Sequence, residues 1–149
     1  MGAALEAARR GLASGQPPVG ACLVIDDDIV CATHTEVISH VDPSAHAEIQ
    51  AIREACRILR RLDLSGARLY VTVEPCAMCT AACAYAGVEE IVFGAPLSAM
   101  QSITGREIPA GRLLDRPARP QLTGGLMAEA CEGLLRDWAA AVTRSDDGE

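Results

Sequence analysis

Two short stretches of the chain hold residues whose types and spacing suit chemistry. One reads EPCAMC and places Cys76 and Cys79 three positions apart, directly after a β-branched segment. The other reads SAHAEIQ, in which Glu48 follows His46 by two positions. At a helix start this cysteine spacing puts both sulfurs on one side, and the helix N-terminus lowers thiol pKa values. Thiolates and imidazole are zinc ligands, and a carboxylate beside them suits general acid–base catalysis.

The cysteine pair on its own fits three kinds of site. A C-x-x-C motif occurs in redox pairs, in four-ligand structural zinc sites and in catalytic zinc sites. A structural zinc needs a fourth protein ligand, yet the chain has no second C-x-x-C and no H-x-x-x-H. Three ligands, one His and two Cys, leave a position for water, whose pKa zinc lowers towards neutrality. Glu48 then suits the general base beside that water rather than a ligand.

Length and composition bound the class of protein. The chain has 149 residues and half of them are hydrophobic, which fits one domain over 1–149 with a core over about 3–142. This hydrophobic content is enough to cover both faces of a sheet. The net charge of -7 argues against tight binding to nucleic acid through many basic contacts. Seven cysteines, no leader and no membrane-spanning run predict a reducing cytoplasm and no membrane partner.

Hydrophobic periodicity predicts the elements that position these residues. We expect a helix over 3–14 and then a hairpin formed by VGACLVID and IVCATHT, with its turn at Asp27 and Asp28 and its first strand inside the sheet. Asp42 suits an N-cap, with Pro43 at the first position of a helix of about four turns. The order strand (ARLYVTVE), helix (CAMCTAACAYAG) and strand (EEIVFGA) predicts a parallel pair with a crossover.

The last third of the chain gives weaker patterns. Residues 98–120 are rich in Gly and Pro and are expected to hold one short helix and one short strand around Arg112 to Leu114. A final amphipathic helix is predicted over 125–142. The closing residues, SDDGE, are expected to be disordered.

Four stretches resemble the cytidine deaminase-like superfamily of zinc deaminases, whose signature is H-x-E followed by P-C-x-x-C. They are PPVGACLV, DPSAHAEIQAIREAC, LYVTVEPCAMC and EEIVFGA, which together span about residues 17–95. The forms of both motifs are most similar to the branch that holds guanine deaminases, tRNA adenosine deaminases and fungal-type cytosine deaminases. The resemblance implies an α/β fold, a three-layer αβα sandwich with a mixed five-stranded sheet, and a homodimer.

The resemblance also assigns roles to individual residues. It implies one zinc ion per chain, held by His46, Cys76 and Cys79, with Glu48 as the catalytic proton shuttle. The backbone amides near Ala47 and Cys76 are expected to orient the substrate or the attacking hydroxide. The implied reaction replaces an amino group on a ring carbon by a carbonyl group and releases ammonia.

The substrate is the least specified part of this prediction. Thr35 stands eleven residues before His46, where the resembling branch usually carries an Asn that holds the base. Glu74, Pro75 and Trp138 are further candidates for substrate contact, although a solvated Glu74 and an ordinarily packed Trp138 are the alternatives. We expect a free nucleobase, such as guanine or cytosine, or an aminotriazine. The alternatives are a nucleoside, a tRNA adenosine, or a silent domain that binds a partner without turnover.

Overall fold

The structure, a computed structural model, describes residues 1–105 and 121–146 of the chain. Helices and strands alternate along most of it, which is typical of an α/β protein. The elements are α1 (Gly2–Ala13), β1 (Gly20–Ile25), β2 (Asp28–His34), α2 (Ala47–Leu59), β3 (Ala67–Val73), α3 (Ala77–Tyr85), β4 (Glu90–Ala95), α4 (Leu97–Thr104), β5 (Gln121–Thr123) and α5 (Ala128–Asp146).

The strands form one mixed five-stranded sheet in the order β2-β1-β3-β4-β5. β1 is antiparallel to both of its neighbours, β2 and β3. β3 and β4 are parallel, and β4 and β5 are parallel as well. The predicted interior position of the first strand and the predicted parallel pair are therefore confirmed. Because parallel strands end at one edge, the segments that follow β3 and β4 lie side by side.

Two apolar cores hold the helices against the sheet. One core joins α2 and α3 to β1 and β3, and the other joins α1, α4 and α5 around the ends of β3 and β4. Small residues dominate at the contacts, as Ala47, Ala51 and Ala55 of α2 are fully buried. Small side chains let a helix approach a sheet closely. The predicted three-layer αβα sandwich is confirmed.

The turn of the β1–β2 hairpin lies one residue earlier than predicted. Asp26 and Asp27 have φ angles of 51° and 64°, while Asp28 already belongs to β2. Positive φ at both central residues defines the type I′ turn, which matches the twist of a two-residue hairpin. Aspartate tolerates this left-handed backbone better than most residues do. The predicted turn at Asp27 and Asp28 was therefore wrong by one position.

The start of α2 also differs from the prediction. Asp42 does not cap the helix, because its Oδ1 accepts hydrogen bonds from the backbone N–H and the hydroxyl of Ser44, at 2.8 and 2.7 Å. These bonds close a local turn that includes Pro43. The helix begins at Ala47, with His46 as an extended N-cap at ψ 155°. The later start places the histidine at the mouth of the helix.

The described C-terminal elements partly match the expectations. α4 fits the short helix expected after Pro96, whereas the strand expected around Arg112 to Leu114 lies outside the described residues. β5 was not predicted.

The expected disorder at Ser145 and Asp146 was wrong, because α5 continues through Asp146 and each added residue of a formed helix gains a hydrogen bond. None of the described helices is long and apolar enough to cross a membrane.

Candidate active site

The N-termini of α2 and α3 meet at the candidate site. His46 is the N-cap of α2, Cys76 is the N-cap of α3, and Cys79 lies in the first turn of α3. His46 Nδ1 lies 3.7 Å from Cys76 Sγ and 3.4 Å from Cys79 Sγ. The two sulfur atoms are 3.7 Å apart. The structure thus brings His46 together with two cysteines that lie 30 and 33 residues further along the chain.

These distances fit a tetrahedral zinc ion. With Zn–S bonds of about 2.3 Å and a Zn–N bond of about 2.0 Å, tetrahedral angles separate two sulfurs by about 3.8 Å and a sulfur from a nitrogen by about 3.5 Å. One nitrogen and two sulfur donors are also the ligand types that zinc prefers. Among the described residues, no other group of three or more His, Cys, Asp or Glu side chains gathers its ligand atoms in this way. His46, Cys76 and Cys79 are positioned to bind zinc.

The three side chains shift one another's pKa values, and the shifts have opposite signs for the two cysteines. The hydrogen bond with Cys79 lowers the pKa of Cys76 to about 4, against the opposing effect of burial, and His46 adds to the lowering. The same bond raises the pKa of Cys79. The contact with Cys76 raises the pKa of His46. The positive ends of two helix dipoles also favour a thiolate here, and thiolate is the form that binds metal.

Glu48 lies in the first turn of α2 and is buried, with 3% of its surface exposed. Its Oε2 atom is the only buried side-chain nitrogen or oxygen in the described part of the chain that lacks a hydrogen-bond partner. Burial raises the pKa of this carboxyl group. An unpaired buried carboxylate oxygen costs free energy, so such a group is expected where a ligand or a reaction needs it.

Side chains at the end of β2 and directly after it fix the start of α2 at the site. The Thr33 hydroxyl donates to the carbonyl oxygen of Ala47 at 2.8 Å, and the Thr35 hydroxyl donates to that of Ala45 at 3.1 Å. The backbone N–H of Glu36 also donates to Ala45, at 2.9 Å. These bonds tie the loop between β2 and α2 back onto the strand. The ligand His46 and the carboxylate Glu48 are therefore held by the sheet.

A cavity of about 430 Å³ opens onto these groups, a size that is typical of small-molecule sites. Its lining is mostly aliphatic, with one indole and a few polar side chains. The residues that line it are Pro17, Val19, Thr35, Val37, His46, Ala47, Glu48, Val73, Glu74, Cys76, Leu97, Met100 and Trp138. The lining contains two carboxylates and, within the described residues, no Arg side chain.

The cavity includes most of the predicted substrate contacts. Thr35, Ala47, Glu74 and Trp138 all line it, whereas Pro75 is buried and does not. Sequence reasoning missed several aliphatic lining residues, among them Val37 in the loop after β2 and Leu97 and Met100 in α4. Their apolar character is the same as that of core residues, so periodicity alone does not mark them as cavity walls.

Cys83 follows Cys79 by one helical turn, yet it stays outside the ligand group. It is fully buried, and burial raises the pKa of its thiol. A neutral buried thiol behaves as a small apolar side chain. The prediction that Cys83 is a packing residue is confirmed by this placement.

The fold and the site are those of a family of zinc-binding deaminases. Residues 1–95 match the family model described as the cytidine and deoxycytidylate deaminase zinc-binding region. This stretch contains all three candidate ligands and Glu48. The chain belongs to this zinc-binding deaminase family.

Relatives within the family differ in what they act on. The tRNA-specific adenosine deaminase of Aquifex aeolicus is 40% identical over 114 residues, which cover 76% of this chain and 73% of that protein. A solved tRNA:A34 deaminase superposes with a TM-score of 0.78 at 32% identity, covering 90% of this chain and 96% of the other. The guanine deaminase of Nitrosomonas europaea superposes with a TM-score of 0.81 at 27% identity, covering 93% and 82%.

Proposed function

We propose that this protein is a hydrolytic deaminase of a compact, uncharged nitrogen heterocycle that carries an amino group. Free guanine, cytosine and aminotriazines belong to this class. The observation that carries the proposal is the buried Glu48 carboxylate, whose Oε2 has no hydrogen-bond partner and which lines the same cavity as His46 and Cys76, two of the three candidate zinc ligands. A proton shuttle must be available beside the metal without being consumed as a ligand.

The proposed reaction assigns each group a separate task. His46, Cys76 and Cys79 hold zinc, which supplies a Lewis acid that lowers the pKa of water towards neutrality. Glu48 takes a proton from the attacking water and delivers it to a ring nitrogen, and then transfers the remaining hydroxyl proton of that water to the departing amino group. A carbon–oxygen bond forms, the exocyclic carbon–nitrogen bond breaks and ammonia leaves. Burial raises the pKa of Glu48, and a carboxyl pKa raised by burial is a common feature of acid–base shuttles.

The cavity supports a free heterocycle over a nucleotide. Its volume of about 430 Å³ and its aliphatic walls suit a flat ring. A phosphate group would meet the carboxylates of Glu48 and Glu74, and no Arg among the described lining residues would pair with it. The chain as a whole carries a charge of -7 and contains no lysine. Phosphate recognition normally depends on the positive charges of Arg and Lys side chains.

The test is ammonia release from a panel of aminated purines, pyrimidines and triazines by the zinc-loaded protein. Glu48→Ala should retain zinc and lose about a hundredfold or more of the turnover, the usual contribution of a general acid–base group. Glu54→Ala is the matched control, because Glu54 lies on the same helix and pairs with the exposed Arg57. No ammonia from any compound would contradict the proposal and favour a silent binding domain. Near-normal turnover by Glu48→Ala would contradict the role of Glu48.

A second candidate is deamination of adenosine in tRNA. It is favoured by the 40% identity to the tRNA-specific adenosine deaminase of Aquifex aeolicus and by the superposition on a solved tRNA:A34 deaminase. Tight tRNA binding normally rests on Lys and Arg contacts and weakens steeply as salt is raised. The two candidates are separated by measuring inosine formation in unmodified tRNA beside ammonia release from free bases. A kcat/KM for tRNA above that for every free heterocycle would replace the first candidate by the second.

A further inference from the structure

Glu74 links the loop that carries the metal ligands to the helix that walls the cavity. It directly follows β3 and stands two residues before Cys76. Its backbone N–H donates to the carbonyl oxygen of Ala95 at 2.8 Å, which extends the pairing of β3 with β4 beyond the last residue of β3. Its side chain then crosses to the start of α4, where Oε2 accepts a hydrogen bond from the backbone N–H of Leu97 at 2.9 Å.

α4 lacks a cap of its own at this end. Its N-cap is Pro96, which makes no side-chain cap bond, and its first turn contains no acidic residue. The first N–H groups of a helix have no partner within the helix, and an anion near them is favoured by the helix dipole. With only eight residues, α4 gains little stability from its own hydrogen bonds. The carboxylate of Glu74, which directly follows β3, therefore caps a helix whose own sequence has no capping side chain.

The capped helix supplies an aliphatic wall of the cavity. Leu97 and Met100 lie three residues apart on one face of α4, and both line the cavity that contains Glu48 and Cys76. Leu97 is also the residue whose N–H is bonded by Glu74. The Glu74 side chain is therefore one of the contacts that set the distance from this wall to the segment that leads to Cys76. A ring held between the wall and the metal ligands is sensitive to that distance.

We propose that Glu74 is a positioning residue, which acts through Leu97 and Met100 on the binding of the heterocycle and takes no part in proton transfer. The proposal rests on the proposed function, since it concerns the substrate of the same site. The proposal concerns the contact of Oε2 with the backbone of α4 and not a direct bond between Glu74 and the substrate.

The test compares Glu74→Ala, which removes the acceptor, with Glu74→Gln, which keeps an acceptor oxygen and removes the charge. We expect Glu74→Ala to raise KM by roughly five- to tenfold, as for loss of a helix cap, and to lower kcat by less than about threefold. Glu74→Gln should restore most of the wild-type KM. Zinc content should stay at that of the wild type in both. Glu89→Ala is the matched control, since Glu89 also accepts from a backbone N–H, that of Gly66 at 3.0 Å, and does not line the cavity.

Hydrogen exchange in the absence of substrate tests the same inference without any turnover. The amides of α4 should exchange faster in Glu74→Ala than in wild type, and those of α2 should not change. This readout separates a failure of the inference from a failure of the proposed function, because it requires no substrate. Unchanged exchange in α4, loss of zinc in Glu74→Ala, or a Glu74→Gln variant as impaired in KM as Glu74→Ala would each overturn the positioning role.

Discussion

His46 and Cys76 each cap the N-terminus of a helix, and the Nδ1 and Sγ atoms of these two caps lie 3.7 Å apart. Neither side chain makes the usual cap hydrogen bond to its own helix. Two helices therefore begin with a residue that faces the other helix rather than its own backbone. The unsatisfied N–H groups of both first turns give the site a positive potential. Such a potential favours the thiolate that binds zinc.

The ligand set predicts different effects for two neighbouring cysteines of α3. Cys79→Ser should lose most of the bound zinc, because an alcohol oxygen is a poor replacement for a thiolate. Cys83→Ser should keep one zinc per chain, because Cys83 lies outside the ligand group although it is equally buried. Elemental analysis of both variants provides the measurement. Full zinc in Cys79→Ser, or loss of zinc in a folded Cys83→Ser, would contradict the ligand assignment.

Stability at alkaline pH should depend on the Cys31 thiol. Burial is the main cause that raises its pKa from 9.0 to about 11, and its Sγ donates to the carbonyl oxygen of Ala51 at 3.4 Å. The folded state therefore holds the proton more tightly than the unfolded chain does. The resulting stability is fully present below pH 9 and is lost as the pH rises towards 11. For one such thiol the loss is about 1.4 kcal/mol by pH 10.

The measurement is the free energy of unfolding in urea at pH 8 and pH 10 for wild type and Cys31→Ala. The variant starts from a lower stability, because it removes a buried side chain. Its fall between the two pH values should nevertheless be smaller than that of wild type by about 1 kcal/mol. The other buried thiols, Cys22 and Cys131 among them, titrate in both proteins and cancel in the comparison. An equal fall in the two proteins would contradict the prediction.

The predicted homodimer has a direct test on the outer surface of α3. Tyr85 exposes 77% of its surface there, at the C-terminal end of the helix. We expect sedimentation at micromolar concentration to give a dimer, as the resemblance implies. Tyr85→Arg should weaken this dimer, because a large exposed side chain on a helix that flanks the sheet suits an interface. Ile29→Arg is the control, because Ile29 is also exposed and apolar but lies on the β1–β2 hairpin. A monomeric wild type would contradict the expectation.

The sequence predicted that His46, Cys76 and Cys79 lie together because the motifs that carry them are local. Cys76 and Cys79 share one helical turn, and His46 and Glu48 share one helix start, so short motifs carry all four. The prediction that Asp42 caps α2 was wrong for an equally local reason. The N–H and hydroxyl of Ser44 donate to the Asp42 oxygen that would otherwise accept from the helix. A pattern that fits a cap does not say which of two nearby donors the side chain will bind.

The cavity walls were not predictable in the same way. Leu97 and Met100 reach the site because β4 lies beside β3 and delivers α4 to the same edge of the sheet. The bond from Leu97 to Glu74 spans 23 residues and has no counterpart in the hydrophobic pattern. β5 is another element of this kind, since its three residues are all exposed and only their pairing with β4 makes them a strand. Such features depend on tertiary context.

Thr35 is the residue from which we expect a change of substrate. It is buried, lines the cavity and stands where the resembling branch usually has Asn. Its hydroxyl donates to the carbonyl oxygen of Ala45 at 3.1 Å, so its single donor is already used and only an acceptor lone pair remains for a ligand. An Asn amide offers a donor and an acceptor together. A base that needs both would leave one polar group unpaired, which costs about 1–3 kcal/mol.

Guanine and cytosine should therefore be poor substrates of the wild type relative to a ring that presents a different edge, such as an aminotriazine. Thr35→Asn should raise kcat/KM for guanine or cytosine by about tenfold or more, the equivalent of one recovered contact. Thr33→Asn is the matched control, because its hydroxyl likewise donates to a backbone carbonyl, that of Ala47, but it does not line the cavity. The measurement is kcat/KM for guanine, cytosine and an aminotriazine with all three proteins. Two results together would show that Thr35 does not set the choice of base. One is a wild-type kcat/KM for guanine or cytosine of about 10⁵ M⁻¹s⁻¹, which is that of an efficient enzyme. The other is no increase of this kcat/KM in Thr35→Asn.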